Sequence, residues 1–135
     1  MTPTLLGRWQ TRLILFGTVG LAVTAVFATW FQSNIPYLLL GLVFVLGCGW
    51  DVLYQQMQRR RWDRDWPPNL QLAAGIWEAI VVAGLLYGVG ILRQPPTVGQ
   101  FVGHYTAVWL TTFLASQSVL RLIFPRWRYN GGEWF

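Results

Sequence analysis

The sequence predicts an all-α integral membrane protein: four transmembrane helices in two antiparallel hairpins, with both termini on the cytoplasmic side. Three observations predict it. Apolar residues fall into four nearly charge-free blocks, each block is long enough for a bilayer crossing, and the arginines lie almost entirely on one side of the resulting path. Of 135 residues, 54% are hydrophobic and 11% are charged, against about 25% charged in an ordinary soluble domain. The length suits a single domain. Blocks at 13–31, 35–55, 70–92 and 98–124 each approach the ~20 residues that carry a helix across a ~30 Å hydrocarbon core. Membrane strands need only about 10 residues of alternating polarity. No such alternation is present, so the spans are expected to be helices.

In chain order, Arg8 and Arg12 precede the first block, which Gly17 and Gly20 thin. Val26-Phe27-Ala28 resembles a signal-peptide cleavage site, but the apolar run exceeds a signal's hydrophobic region. Trp30-Phe31 suits a membrane boundary, so the segment is expected to be a retained span. Gln32-Ser33-Asn34 forms a short polar turn into the second block, and short loops make neighbouring helices antiparallel. Good helix formers from Gln55 to Asp63 are expected to extend helix 2 past the membrane surface. The connection at 56–69 ends in Pro67-Pro68, which suits the first turn of helix 3, where a missing N–H is harmless. Within helix 3, Gly84 and Gly88 form a small-xxx-small pair, a candidate packing seam. Arg93-Gln94-Pro95-Pro96-Thr97 turns the chain into the fourth block, and residues 125–135 form a tail.

The net charge of +5 is carried entirely by arginine. Nine of the ten arginines flank the blocks on one side, and only Arg93 falls on the other. Positive charge marks the cytoplasmic face. This placement makes the cations topology determinants and headgroup contacts, so no nucleic-acid partner is expected. Arg59, Arg60, Arg61 and Arg64 in the connection, with Arg126, Trp127, Arg128 and Trp134 in the tail, are the candidate contacts to anionic headgroups or a protein partner. Trp9, Trp30, Trp62, Trp66 and Trp127 fall near block ends, where indole favours the headgroup layer.

Ionisable groups inside a membrane are costly, so they are the strongest functional leads. At about 1.5 Å per residue, Glu78 lies about 12 Å from the cytoplasmic boundary and Gln117 about 10 Å, with Asp51 and Arg121 about 5 Å deep. These matched depths predict Asp51 with Arg121 and Glu78 with Gln117, or one cluster of all four. Gln117 and Arg121, four apart, share a helix face. Glu78 has no basic residue at its own level on the spans so drawn. His104 stands isolated near the outer end of helix 4. One histidine cannot supply paired haem ligands, and the single Cys48 lies near the opposite end of the membrane, so no cofactor or metal is expected. One cysteine also rules out an internal dithiol pair.

The chain holds no nucleophile motif, metal-ligand spacing or nucleotide-binding loop, so it is not expected to be an enzyme. The expected function is a non-enzymatic multi-pass accessory or scaffold protein of a larger membrane complex, partnered by lipid and by another membrane protein or itself. The alternative is a small oligomeric transporter or channel using Glu78. Small multidrug transporters share four spans and one membrane glutamate, but carry it in the first span.

The lysine-free, Gln- and Trp-rich helices and the ending Phe-Pro-Arg-Trp-Arg-Tyr-Asn-Gly-Gly-Glu-Trp resemble small uncharacterised four-span membrane proteins of the kind seen in cyanobacteria. The resemblance implies no activity. It implies a plasma membrane location, or the thylakoid in a photosynthetic bacterium.

Overall fold

The computed structural model describes residues 3–129, 131 and 133, apart from the side chain of Arg128. The predicted contacts of Trp134 and of the Arg128 side chain lie outside the described residues. Four helices are long and apolar enough to cross a membrane: α1 (Leu5–Phe31), α2 (Ile35–Arg60), α3 (Pro68–Val89) and α4 (Val98–Ile123). The described residues contain no strand.

Helix α1 begins well ahead of the block that opens at residue 13. The Thr4 hydroxyl accepts from the Gly7 N–H at 3.0 Å and caps the first turn, satisfying a donor that a helix start leaves unpaired. Arg8 and Arg12 therefore sit on the helix and not before it, which corrects the sequence-based expectation. Midway, Phe16–Gly20 forms a π-helical turn. Gly20 lies here against α2, where an added Cβ would come within 3.4 Å of Leu40. The helix ends at Gln32, whose φ of 51° turns the chain left-handed.

Helix α2 carries Pro36 in its first turn and ends where Arg61 adopts extended backbone. Pro68 opens α3, whose last turn, Gly84–Val89, is π-helical and stops at Gly90. There φ is +75°, and the N–H groups of Gly90 and Ile91 both donate to the Leu85 carbonyl. That left-handed cap ends the helix while the sequence is still apolar, short of residue 92. Gly84 and Gly88 have nothing within 4 Å of where a Cβ would stand, so they form no packing seam within the chain.

A capping box of Thr97 and Gln100 starts α4. The helix is interrupted at Ser118 and resumes over Val119–Ile123. The Ser118 hydroxyl donates to the Leu114 carbonyl at 2.6 Å, a back-bond that bends helices.

One apolar core joins Leu39, Val43, Val82, Leu86, Phe101 and Tyr105. A second, around Leu15, Ala115, Leu120 and Trp127, lies at the end of the bundle where the termini meet. Three hydrogen bonds gather that end. Thr4 N–H donates to Gly131 O at 2.9 Å, Gln58 Nε2 to Pro3 O at 3.2 Å, and Trp127 Nε1 to the Thr11 hydroxyl at 2.8 Å. Large apolar side chains such as Val26, Val45, Ile80 and Leu114 face outward. Hydrocarbon is the surrounding that such a surface suits, because helices pair their backbone groups internally away from their ends.

Candidate functional site

The interior polar groups converge from complementary stripes on α1 and α2. Arg8 and Arg12, one helical turn apart, share a face of α1. On α2, Asp51, Tyr54, Gln55 and Gln58 recur at three- and four-residue spacing and make the matching face. Arg12 grips the Asp51 carboxylate with both ends of its fork, Nε to Oδ2 and Nη2 to Oδ1, each at 2.9 Å. Two parallel charge-assisted bonds make this the strongest class of side-chain pair. The same Nη2 lies 3.5 Å from Glu78 Oε1 on α3, and the Tyr54 hydroxyl donates to that oxygen at 2.9 Å. One guanidinium thus serves two carboxylates, and three helices are tied at one point. Asp51 and Glu78 are 3% and 7% exposed, so these charges are compensated by protein and not by solvent.

Local sequence makes room for this arrangement. A Cβ at Gly47 would coincide with the Arg12 guanidinium, and one at Gly75 would coincide with the Trp109 indole. Any larger residue at either position would displace the polar group lying across it. The Gly75 carbonyl accepts from the Tyr105 hydroxyl at 2.6 Å, fixing α4 against α3 just beyond the charged centre.

One turn toward the termini, Arg8 donates Nε to Gln55 Oε1 at 3.2 Å and Nη2 to Gln58 Oε1 at 2.6 Å. Its guanidinium also lies over the Trp66 ring, 4.7 Å from the centroid. Arg8 is only 8% exposed, and its hydrogen-bond partners among the described residues are neutral. On α4, Arg121 Nη2 donates to Gln117 Oε1 at 2.7 Å, while Arg121 Nε and Trp109 Nε1 are buried without an acceptor.

The predicted residues are therefore regrouped. Asp51 pairs with Arg12 instead of Arg121, and Glu78 with Arg12 and Tyr54 instead of Gln117. The basic residue that Glu78 lacked at its own level comes from α1. Gln117 and Arg121 pair with each other, as their shared face allows. All four still line one cavity of about 160 Å³, together with Arg8, Arg12 and Trp109. His104 is not isolated: its Nε2 lies 2.9 Å from the Thr24 hydroxyl of α1, and the ring borders the same cavity.

The predicted headgroup contacts divide. Arg59, Arg60, Arg64 and Arg126 are exposed. Arg61 is half-buried and bonds Asp63 at 3.2 Å. The Asp65 N–H and then Arg61 hold the Asp63 carboxyl below the usual carboxylate range. Trp127 and Trp66 are buried, their indole N–H groups bonded to Thr11 and Gln71. Their N–H groups are thus used inside the protein and not at a headgroup layer.

Fold and site together define a unit of four helices long and apolar enough to cross a membrane, with a charged, cavity-bearing interior. No family model matches the chain, and neither a curated protein nor a solved structure is similar to it.

Proposed function

We propose that this chain is a non-enzymatic multi-pass membrane accessory protein, a rigid unit that associates with a larger membrane complex. The observation that carries this reading is the Arg12–Asp51–Glu78–Tyr54 cluster. It fastens three helices in one geometry and leaves Glu78 already engaged by a cation and a hydroxyl. A coupling carboxylate must exchange partners during transport. Freeing this one would strand a buried charge, which typically costs about 3–5 kcal/mol.

In this reading the helices form two antiparallel hairpins. The positive-inside rule puts both termini and the 61–67 connection in the cytoplasm, in line with the contacts that gather them at one end. The host membrane is the plasma membrane, or the thylakoid in a photosynthetic bacterium. The exposed arginines of that end face anionic headgroups or a partner's acidic surface, and the chain takes its place among small four-span proteins like those of cyanobacteria. Gentle detergent extraction followed by native mass measurement tests the proposal. It expects a fixed-stoichiometry assembly with another membrane protein, and a lone monomer would contradict it.

The cavity bordered by Glu78 favours a second reading, a small oligomeric transporter or channel. Proteoliposome flux that is present in the native protein and lost in Glu78→Gln would support it.

A further inference from the structure

The cavity wall holds three cations, Arg8, Arg12 and Arg121, and two anions, Asp51 and Glu78. Arg12 is shared between both carboxylates. Among the described residues, Arg8 and Arg121 bond directly to neutral partners, the amides of Gln55, Gln58 and Gln117 and the face of Trp66. Arg8 is more than nine-tenths buried, and a buried cation with no carboxylate bonded to it is disfavoured. Two further N–H donors, Arg121 Nε and Trp109 Nε1, are buried in this wall with no acceptor among the described residues. Buried donors are nearly always paired, so among the described residues this wall is short of one negative charge and of oxygen acceptors.

We propose that the terminal end of this cavity is a binding site for one singly charged oxyanion, supplied by the headgroup of an anionic membrane lipid. Single charge follows from the count with Glu78 ionised beside Arg12, since three arginines against two carboxylates leave one positive charge to balance. Oxygen chemistry follows from the donors at that end, because guanidinium N–H groups are matched by phosphate or carboxylate oxygens. Size limits what enters. The whole cavity, which reaches from Trp127 to His104, has about 160 Å³, close to the space that holds a single benzene ring, so its terminal end admits the oxyanion of a headgroup and not a two-chain lipid. At the terminal end the wall also includes Leu15 and Trp127, so apolar atoms next to the oxyanion also find matching surface. Basic pockets between membrane helices characteristically hold anionic headgroups.

The test is native mass measurement of the full-length protein after stepwise delipidation, with phosphatidylglycerol or phosphatidylcholine supplied at equal concentration and inorganic phosphate titrated separately. The site predicts one retained phosphatidylglycerol per chain, preferred about tenfold over phosphatidylcholine. Arg121→Gln should abolish that preference, Arg121→Lys should retain part of it, and Arg59→Gln, on the exposed surface, should leave it intact. Arg8→Gln is expected to act like Arg121→Gln; because Arg8 also braces α1 on α2, the Arg121 pair carries the test if that variant does not fold. Phosphate that binds once per chain and displaces the lipid in an Arg121-dependent way would keep the oxyanion site and overturn the lipid as its source. Equal retention of both lipids with no phosphate binding, or a preference indifferent to Arg121→Gln, would overturn the site.

Discussion

Replacing Arg12 by leucine should be among the most damaging single changes in this protein, and its size is set by what the guanidinium holds. At an effective dielectric of about 20, unit charges 3.5 Å apart attract by about 5 kcal/mol before desolvation is subtracted. Arg12 sits at that distance from Glu78 and at 2.9 Å from both Asp51 oxygens. Arg12→Leu would leave two buried carboxylates facing each other across the space it vacates. Breaking a buried pair from one side typically costs about 3–5 kcal/mol, and two stranded carboxylates place the expected loss toward the upper end. An ordinary interhelical hydrogen bond in a membrane is worth about 0.6 kcal/mol, so the two origins are well separated. Reversible unfolding in mixed detergent and SDS micelles measures the difference. Glu78→Gln alone should cost less, about 1–2 kcal/mol, because Asp51 keeps its bidentate partner and Tyr54 keeps an acceptor. The apolar triple replacement Arg12→Met, Asp51→Leu and Glu78→Met should recover most of the loss, since buried ion triads can be exchanged for hydrophobic volume. A loss below about 1 kcal/mol for Arg12→Leu, or a triple variant no more stable than Arg12→Leu alone, would refute the assignment.

Glycine substitutions should divide by position in the same unfolding assay. Gly47→Ala and Gly75→Ala, where the new methyl meets Arg12 or Trp109, should each lose about 1–3 kcal/mol. Gly84→Ala meets nothing and should be neutral or stabilising by up to about 1 kcal/mol. Thr24→Val deprives His104 of its buried partner and should cost about 1–3 kcal/mol; no measurable change would argue against that bond. Trp127→Phe removes the bond to Thr11, and faster proteolysis of the chain after Phe124 should report the loosened tail.

The helical fold was legible because its signal is additive: four long apolar blocks and their flanking charges need no knowledge of contacts. The interior was only half legible. Asp51 and Glu78 stood out as acids inside apolar blocks, but Arg12 was hidden by the rule that made the topology readable. A basic residue next to a block counts as a flank, so its capture by α1 and its return to Asp51 leave no mark in hydropathy. The available signal was pairwise. Arg8 and Arg12 at spacing four match Asp51, Gln55 and Gln58 at spacings four and three, in the order that opposed helices bring together. Gly47 and Gly75 read as generic small residues, because a glycine that yields space to one guanidinium or one indole looks like any other. Depth matching gave Asp51 to Arg121 because Arg12, counted outside the first span, lies on α1 and takes Asp51 first; it also assumes straight helices, whereas α4 is broken at Ser118.

If the charged centre is a brace for an assembly unit and not a transport site, the assembly should survive its replacement by apolar residues. Native mass measurement of gently extracted protein carrying Arg12→Met, Asp51→Leu and Glu78→Met together tests this directly. The same partner, stoichiometry and total mass as for the native chain are expected. A triple variant that unfolds at native denaturant concentrations yet no longer joins the assembly would contradict it.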